Sequence, residues 1–346
     1  MTQRVFPAEW APQSGVMLTW PHRHGDWAPW LDEVEPVFAD IAFHIAQRQT
    51  VLINAYDEAH GHHIDTLLEA RGTSMDKIRL HIVPSNDTWA RDHGPITVME
   101  NGQPRLLDFT FNGWGNKYDA RLDNAITSEL ARQGAFGDTA VETIDLVLEG
   151  GSIDTDGQGT LLTTRTCLLN PQRNPQLSQA MLEQRLGELL GVYRFLWLHH
   201  GYLAGDDTDS HIDTLARFCD AETLCYVSCT DENDEHYPAL QGMAAELRSL
   251  CTVEGTPYRL IPLPMPAPIV DENGQRLPAT YANFLIINGA VLVPTYRDEA
   301  DAVALERLAG AFPRHEIIAI DALPLVKQYG SLHCVTMQLP QGVLKP

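Results

Sequence analysis

The chain has 346 residues, 44% hydrophobic and 20% charged, with a formal net charge of −22. That acidity argues against nucleic acid and anionic membrane as partners, since both recruit excess Lys and Arg; it suits a cationic ligand, although solubility accounts for most surface acid. No stretch reads as a secretory leader or a membrane span, and the expectation is a cytoplasmic protein.

Taken in chain order, the sequence repeats a pattern rather than a motif. A β-prone run, a polar loop, an amphipathic helix and a second β run recur five times. The first round reads as strand 15–20, helix 34–49, and strands 51–53 and 78–83. The second has strands 96–99 and 105–109, a helix over 125–133 and a strand over 141–148. The third has a strand over 160–163, a helix over 177–190 and a strand over 193–198. The fourth has 224–228, 238–250 and 258–263. The fifth has strands 284–287 and 290–294, a helix over 299–312 and a strand over 317–320. Helical spacing is plain in Leu182, Leu186, Leu189 and Leu190. Asn273-Gly274 marks a surface hairpin tip. No linker divides the chain, so a single unit over 1–346 is expected. Five small β/α modules around a centre are preferred over one large open sheet, because polar candidates fall in loops after the last strand of a round.

Six cysteines stand at 167, 219, 225, 229, 251 and 334, and none has Cys-x-x-Cys spacing. Without a secretory signal they are read as reduced thiols, most of them small core hydrophobes. Cys334 differs by its company. It follows Tyr329-Gly330-Ser331-Leu332-His333, and upstream lie Trp89-Ala90-Arg91-Asp92-His93-Gly94-Pro95, Glu149-Gly150-Gly151 and Asp209-Ser210-His211-Ile212-Asp213. A guanidinium is planar, delocalised and permanently charged, and carboxylates bind it in pairs of hydrogen bonds. Its carbon is a poor electrophile and needs a strong nucleophile such as a thiolate. A histidine can then protonate departing ammonia and later deprotonate water. One thiol, one imidazole and at least two acids form a minimal set, and this sequence offers it.

With Cys167-Leu168-Leu169-Asn170-Pro171-Gln172-Arg173-Asn174-Pro175, Asn283-Phe284 and the opening Phe6-Pro7-Ala8-Glu9-Trp10, these motifs run in order over nearly the whole chain. Together they resemble the agmatine deiminase and bacterial peptidyl-arginine deiminase family, within the guanidino-modifying pentein superfamily. The resemblance implies an α/β fold: a five-bladed, pseudo-symmetric α/β propeller of ββαβ modules. It implies Cys334 as nucleophile, His211 as general acid and base, and Glu149 as the group that hydrogen-bonds and orients His211. Asp92 and Asp213 would grip the guanidinium, and Trp89 and Asn283 would line the substrate tunnel. No cofactor or metal is implied. The partner would be a small cationic guanidino compound, with agmatine the first substrate to test, giving a ureido product and ammonia through a covalent thiouronium in putrescine synthesis. A homodimer is the assembly the family leads one to expect.

The chain departs from agmatine-specific members at Ser210, where glycine is usual, at Thr214, and in Tyr329–Leu332, which replaces a triple-glycine run. These bear on the substrate tail rather than the chemistry. A peptidyl-arginine deiminase is the alternative within the chemistry; a metal-dependent amidohydrolase, disfavoured by the lack of His-Glu-x-x-His, and a non-catalytic cation binder are alternatives outside it. Local readings compete as well. Asp92 could pair with Arg91, Asp206 and Asp207 are assigned no role, and His60-Gly61-His62-His63 reads as a solvated helix start. His22, His24 and Asp26 form a loop expected to reach the substrate tail.

Overall fold

The computed structural model describes residues 4–345. Its strands form five separate sheets. In each, an antiparallel pair is extended by a parallel strand that returns through a helix, as a parallel partner requires. The second module shows the plan. Ile96–Glu100 pairs antiparallel with Gln103–Thr110 across a two-residue turn, and Ala140–Val147 then joins in parallel after the helix Ile126–Arg132. The turn residues Asn101 and Gly102 both have left-handed φ, 51° and 79°, which matches the strand twist of a tight hairpin.

The third module has Ile153–Thr155, Thr160–Thr164, the helix Gln179–Leu190 and Arg194–Leu198. The fourth has Ala216–Asp220, Thr223–Val227, Tyr237–Ser249 and Arg259–Leu263. The fifth has Leu285–Ile287, Ala290–Thr295, Ala300–Ala311 and Glu316–Asp321. The first module closes the chain on itself. Thr336–Pro340, near the C-terminus, pairs antiparallel with Gln13–Thr19, which continues in parallel to Thr50–Ala55 and Ile78–Ile82. Two helices, Leu31–Ala46 and Glu58–Arg71, make those crossings. The second starts on an Asp57 side chain that accepts the His60 amide and stops on Gly72 at φ 81°, the usual chemistry of both ends.

The five modules thus match the five rounds read from the sequence. Inner strands are apolar on both faces, as Leu285–Ile287 and Val291–Val293 are, because helices cover one side and neighbouring modules the other. The centre is polar. Glu9, Arg91, Asp154, Arg217 and His333 are all buried there. The 271–275 segment is a hairpin tip, bridged at Val270 and Arg276. No helix among the described residues is long and apolar enough to cross a membrane.

The expected placement of the chemistry also holds in outline. Each connection from one module to the next carries candidate residues: 83–95 carries Trp89 and Asp92, 148–152 Glu149, 199–215 His211 and Asp213, 264–284 Asn283, and 322–335 Cys334.

Candidate active site

Cys334 lies just before the closing strand and is 7% exposed. Its carbonyl accepts the Arg91 amide, and its own amide donates to Asn283 Oδ1 at 3.2 Å. The sulfur sits 3.9 Å from Asp213 Oδ2 and 3.4 Å from Asn283 Oδ1. Burial pushes the thiol well above its ordinary pKa, and the carboxylates of Asp213 and Asp92 push it further.

Asp213 is buried. Its Oδ2 accepts from His333 Nδ1 at 2.8 Å, while Oδ1 is buried with no protein partner. Burial alone would raise its pKa; the hydrogen bond and charge of His333 hold it below the usual carboxylate range. Asp92 is tied differently: Oδ1 accepts from the Gly151 amide at 3.0 Å and Oδ2 from Trp114 Nε1 at 2.9 Å. Burial pushes Asp92 up to about 6 against the opposing pull of His211. Arg91 does not pair with Asp92. It points away, to Gln338 Oε1, the His333 carbonyl and Glu9.

His211 Nδ1 stands 3.6 Å from Asp92 Oδ1. Burial would lower its pKa, but Asp92, Cys167 and Glu149 raise it well above the ordinary value. Gly151 shows how tightly these groups converge. A Cβ on it would lie 2.6 Å from His211 Nδ1, 2.9 Å from Asp92 Oδ1 and 3.1 Å from Asp213 Oδ2. Three catalytic candidates therefore surround one point, and only glycine leaves it open. Its neighbour Gly150 is required by close packing, since a Cβ there would fall 2.2 Å from the Arg91 carbonyl oxygen.

Two expectations need correction. Glu149 does not hydrogen-bond His211. Both its oxygens accept from Arg173 Nε, at 2.9 and 3.0 Å, and Arg173 also reaches Asp209 and the Thr208 carbonyl. A buried carboxylate needs a cationic partner, and Arg173 takes that place. A Glu149 oxygen, the Cys167 sulfur and a His211 ring nitrogen still lie within 4.8 Å of one another. Glu149 thus acts on His211 through charge, and Cys167 is the group at its ring rather than simply a core hydrophobe. These three are metal-ligand types, but the guanidinium of Arg173 against Glu149 opposes a further cation there. Asn283 does not stand in a tunnel wall. Its Oδ1 takes the amides of His333 and Cys334, and its Nδ2 donates to the Asp213 carbonyl. With its amide committed to backbone, it braces Cys334 and Asp213 together.

A cavity of about 120 Å³ opens at Cys334, walled by Trp89, Trp114 and Asp92 and reaching Asp26, Asp87, Asp206 and Asp207. Trp89 packs against Gly330, where a Cβ would meet its ring at 2.0 Å. No lysine or arginine lines this cavity among the described residues. Asp207 accepts from Tyr118 OH, Asp206 pins the amides of Thr208 and Ser210, and Asp87 takes Trp27 Nε1. Asp206 and Asp207 are therefore part of the cavity as well as of the loop. Asp26 reaches the cavity, but His22 and His24 do not. They line a separate one of about 320 Å³ with Tyr56, His60 and His63, because His22 is turned to Ser85.

Trp114, Arg173, Cys167, Glu9 and His333 had no role assigned from the sequence. Trp114 carried a signal: it is flanked by Gly113 and Gly115 in a loop where all three adopt left-handed φ. Arg173, Glu9 and His333 sit inside quoted motifs, but only the fold reveals their partners.

A model of the Porphyromonas-type peptidyl-arginine deiminase family matches residues 5–340. The agmatine deiminase of Stutzerimonas stutzeri is 34% identical over 97% of this chain and 95% of its own length. Among solved structures, a Porphyromonas gingivalis protein provisionally assigned as an arginine deiminase is 51% identical with a TM-score of 0.93, covering 99% of this chain and 100% of that one. A cysteine-to-serine variant of C. jejuni agmatine deiminase, solved with substrate bound, is 39% identical with a TM-score of 0.90, covering 99% and 97%.

Proposed function

This chain belongs to the Porphyromonas-type peptidyl-arginine deiminase family, and from that premise we propose that it hydrolyses agmatine to N-carbamoylputrescine and ammonia, with Cys334 as nucleophile. The observation that carries the reading is the buried carboxylate of Asp213: its Oδ2 lies beside the thiol and across the Gly151 cradle from Asp92, and its Oδ1 has no partner. An orphan carboxylate oxygen in a closed polar site is costly until a donor fills it. A guanidinium N–H is a donor of the right shape and charge.

The chemistry follows from the charges. In the free protein the buried thiol is protonated. A bound guanidinium places positive charge beside it and favours loss of that proton to solvent. The sulfur then bonds to the guanidinium carbon, the imidazolium of His211 gives its proton to one nitrogen, and the C–N bond breaks to release ammonia. A covalent thiouronium remains on Cys334. Neutral His211 next takes a proton from water and the water oxygen bonds to the carbon; the C–S bond then breaks with the sulfur leaving as thiolate, and the hydroxyl proton passes to solvent as the ureido product forms. Asp92 and Asp213 hold the cation throughout, and Glu149 with Arg173 sets the field around His211.

Agmatine is preferred to free arginine on charge. The outer cavity offers Asp26, Asp87, Asp206 and Asp207, and no lysine or arginine among the described residues lines it to meet an α-carboxylate. Burial pushes Asp87 up to about 6, the position of a carboxyl awaiting a cation. The enzyme would then work in putrescine synthesis. The deciding experiment is ammonia release from agmatine, free arginine and an arginine-containing peptide, wild type beside Cys334→Ala. Thiol-dependent release from agmatine alone supports the proposal. Release only from the peptide reassigns the substrate, and release that survives Cys334→Ala overturns the thiol mechanism.

A further inference from the structure

Behind the guanidinium-facing acid runs an unbroken line of buried charged groups. Asp213 Oδ2 meets His333 Nδ1 at 2.8 Å, His333 Nε2 meets Glu9 Oε2 at 2.7 Å, and that same Glu9 oxygen accepts from Arg217 Nη2 at 2.8 Å. Glu9 Oε1 is fixed by the Ile286 amide at 2.7 Å. Arg217 is held in turn by Asp154 at 3.1 Å and by the Phe284 carbonyl at 2.9 Å, and its guanidinium lies over the Phe284 ring. Arg217 and His333 are 1% and 2% exposed. The partners come from the N-terminal segment, the third, fourth and fifth modules and the C-terminal loop, so the line spans the centre of the molecule.

We propose that His333, braced by Glu9 and Arg217, is a positioning residue that fixes Asp213 through Oδ2, the oxygen nearest Cys334 and the Gly151 cradle, and leaves Oδ1 open to a substrate N–H. The inference rests on the guanidinium reading of the site. Both ring nitrogens of His333 contact carboxylate oxygens. A neutral imidazole has a single N–H, so one contact would set a lone pair against a carboxylate. Two N–H donors satisfy both contacts, and the ring then bridges Glu9 and Asp213 as a cation. This consumes Oδ2 of Asp213 and leaves Oδ1 as its free acceptor. It also keeps Asp213 ionised where burial would neutralise it. The other charged or titratable groups facing Asp213 are His211, Arg217, Arg91, Asp92 and Cys334. Asp92 and Cys334 oppose its ionisation, and Arg91 and Arg217 support it from farther back. His333 is the group in direct hydrogen-bonded contact with the carboxylate.

The test uses the whole protein with His333→Gln, which keeps a donor but removes the charge, and Glu9→Gln, which keeps an acceptor for the ring. Ammonia release from agmatine is followed across pH, and guanidinium ion serves as a competitive inhibitor. His333→Gln is expected to raise KM and the guanidinium Ki together by about tenfold to hundredfold, the scale of a misplaced binding group, with a smaller change in kcat. The acidic limb of kcat/KM moves to higher pH, because Asp213 has lost the contact that held it ionised. Glu9→Gln shifts the same quantities in the same direction by less. Folded variants with unchanged KM, Ki and acidic limb overturn the proposal. A fall in kcat alone, with the acidic limb in place, also overturns it, as that is what a purely structural role produces. Should the variants not fold, nitrogen NMR of the wild-type histidine rings decides: His333 protonated on both nitrogens at neutral pH supports the relay, and a neutral tautomer sinks it. If the wild type releases ammonia from no guanidino compound, the functional reading fails separately, while calorimetric binding of guanidinium ion still tests the orientation of Asp213.

Discussion

Adding one methyl group at Gly151 tests the site with the least possible change. The Cβ of Gly151→Ala would lie 2.6 Å from His211 Nδ1 and 2.9 Å from Asp92 Oδ1, well inside the roughly 3.5 Å at which carbon contacts become favourable. Something must move by about half an ångström to one ångström. The backbone carbonyl of Glu149, fixed by the Ser152 amide and hydroxyl, limits the loop, so the ring and the carboxylate take most of the shift. Displacements of about 1 Å cost roughly 10²-fold in rate, or about 2.7 kcal/mol of transition-state stabilisation. The same methyl would also occupy the space proposed for the guanidinium, so KM is expected to rise along with the fall in kcat. Gly151 does not have left-handed φ, so alanine adds no backbone strain, and overpacking costs about 1–3 kcal/mol of stability. Ammonia release gives the kinetics and urea unfolding gives the stability. Gly310→Ala is the control. It lies in the helix Ala300–Ala311 with nothing within 4 Å of its Cβ, and it should leave activity intact and gain about 0.5–1 kcal/mol. A folded Gly151→Ala protein with kcat/KM close to wild type would refute the convergence of His211, Asp92 and Asp213 on the reacting group.

Three further outcomes follow from single contacts. Trp114→Phe removes the indole N–H from Asp92 Oδ2; leaving a buried acceptor unpaired costs about 1–3 kcal/mol, so substrate KM should rise about fivefold to 150-fold, and an unchanged KM counts against Asp92 as a guanidinium ligand. Arg173→Met strands the Glu149 carboxylate in a site from which water is excluded. Removing one partner of such a pair costs about 3–5 kcal/mol, read as a lower urea midpoint, and an unmoved midpoint argues against the pairing. Finally, Asp92 sits near 6 in the free protein, and only its ionised form attracts a cation. Agmatine binding to a Cys334→Ala variant should therefore tighten as pH rises through about 6 and release protons there, which calorimetry in two buffers of different ionisation enthalpy detects; no proton release in that window contradicts the assignment.

The fold was legible where a strand is apolar on both faces. The runs at 290–294 and 317–320 announce themselves, and the structure has strands there. Besides the two-residue Arg4–Val5, two strands escaped notice, Ile153–Thr155 and Ala216–Asp220. Their polar residues explain this: Asp154 and Arg217 face each other in the buried centre, which breaks the hydrophobic pattern that marks a strand. Thr336–Pro340 could not be placed in the first module from the sequence, because its partner Gln13–Thr19 lies more than three hundred residues earlier. The catalytic candidates were legible as motifs, since thiol, imidazole and carboxylate are rare in company. Their partners were not. Which side chain bonds Glu149 depends on where residue 173 returns in space, and nothing local to either position encodes it.

Ser210 joins the two levels. Its φ of 66°, after 68° at Asp209, is left-handed, a conformation that costs a non-glycine residue about 1–2 kcal/mol. A glycine, which the family resemblance leads one to expect here, would fit that geometry without cost, so the serine is a departure in strain rather than in chemistry. The serine is held there from both sides. Its amide donates to Asp206 Oδ2 at 2.7 Å, and its carbonyl accepts from Thr164 Oγ1 at 2.7 Å. Thr164 also caps the short helix that carries Cys167 to the His211 ring. Asp206 thus has two tasks, facing the outer cavity and fixing the turn that delivers His211. The acids that outnumber the needs of a thiol and an imidazole are therefore not all substrate ligands; some hold the backbone in the shape that lets the ligands meet.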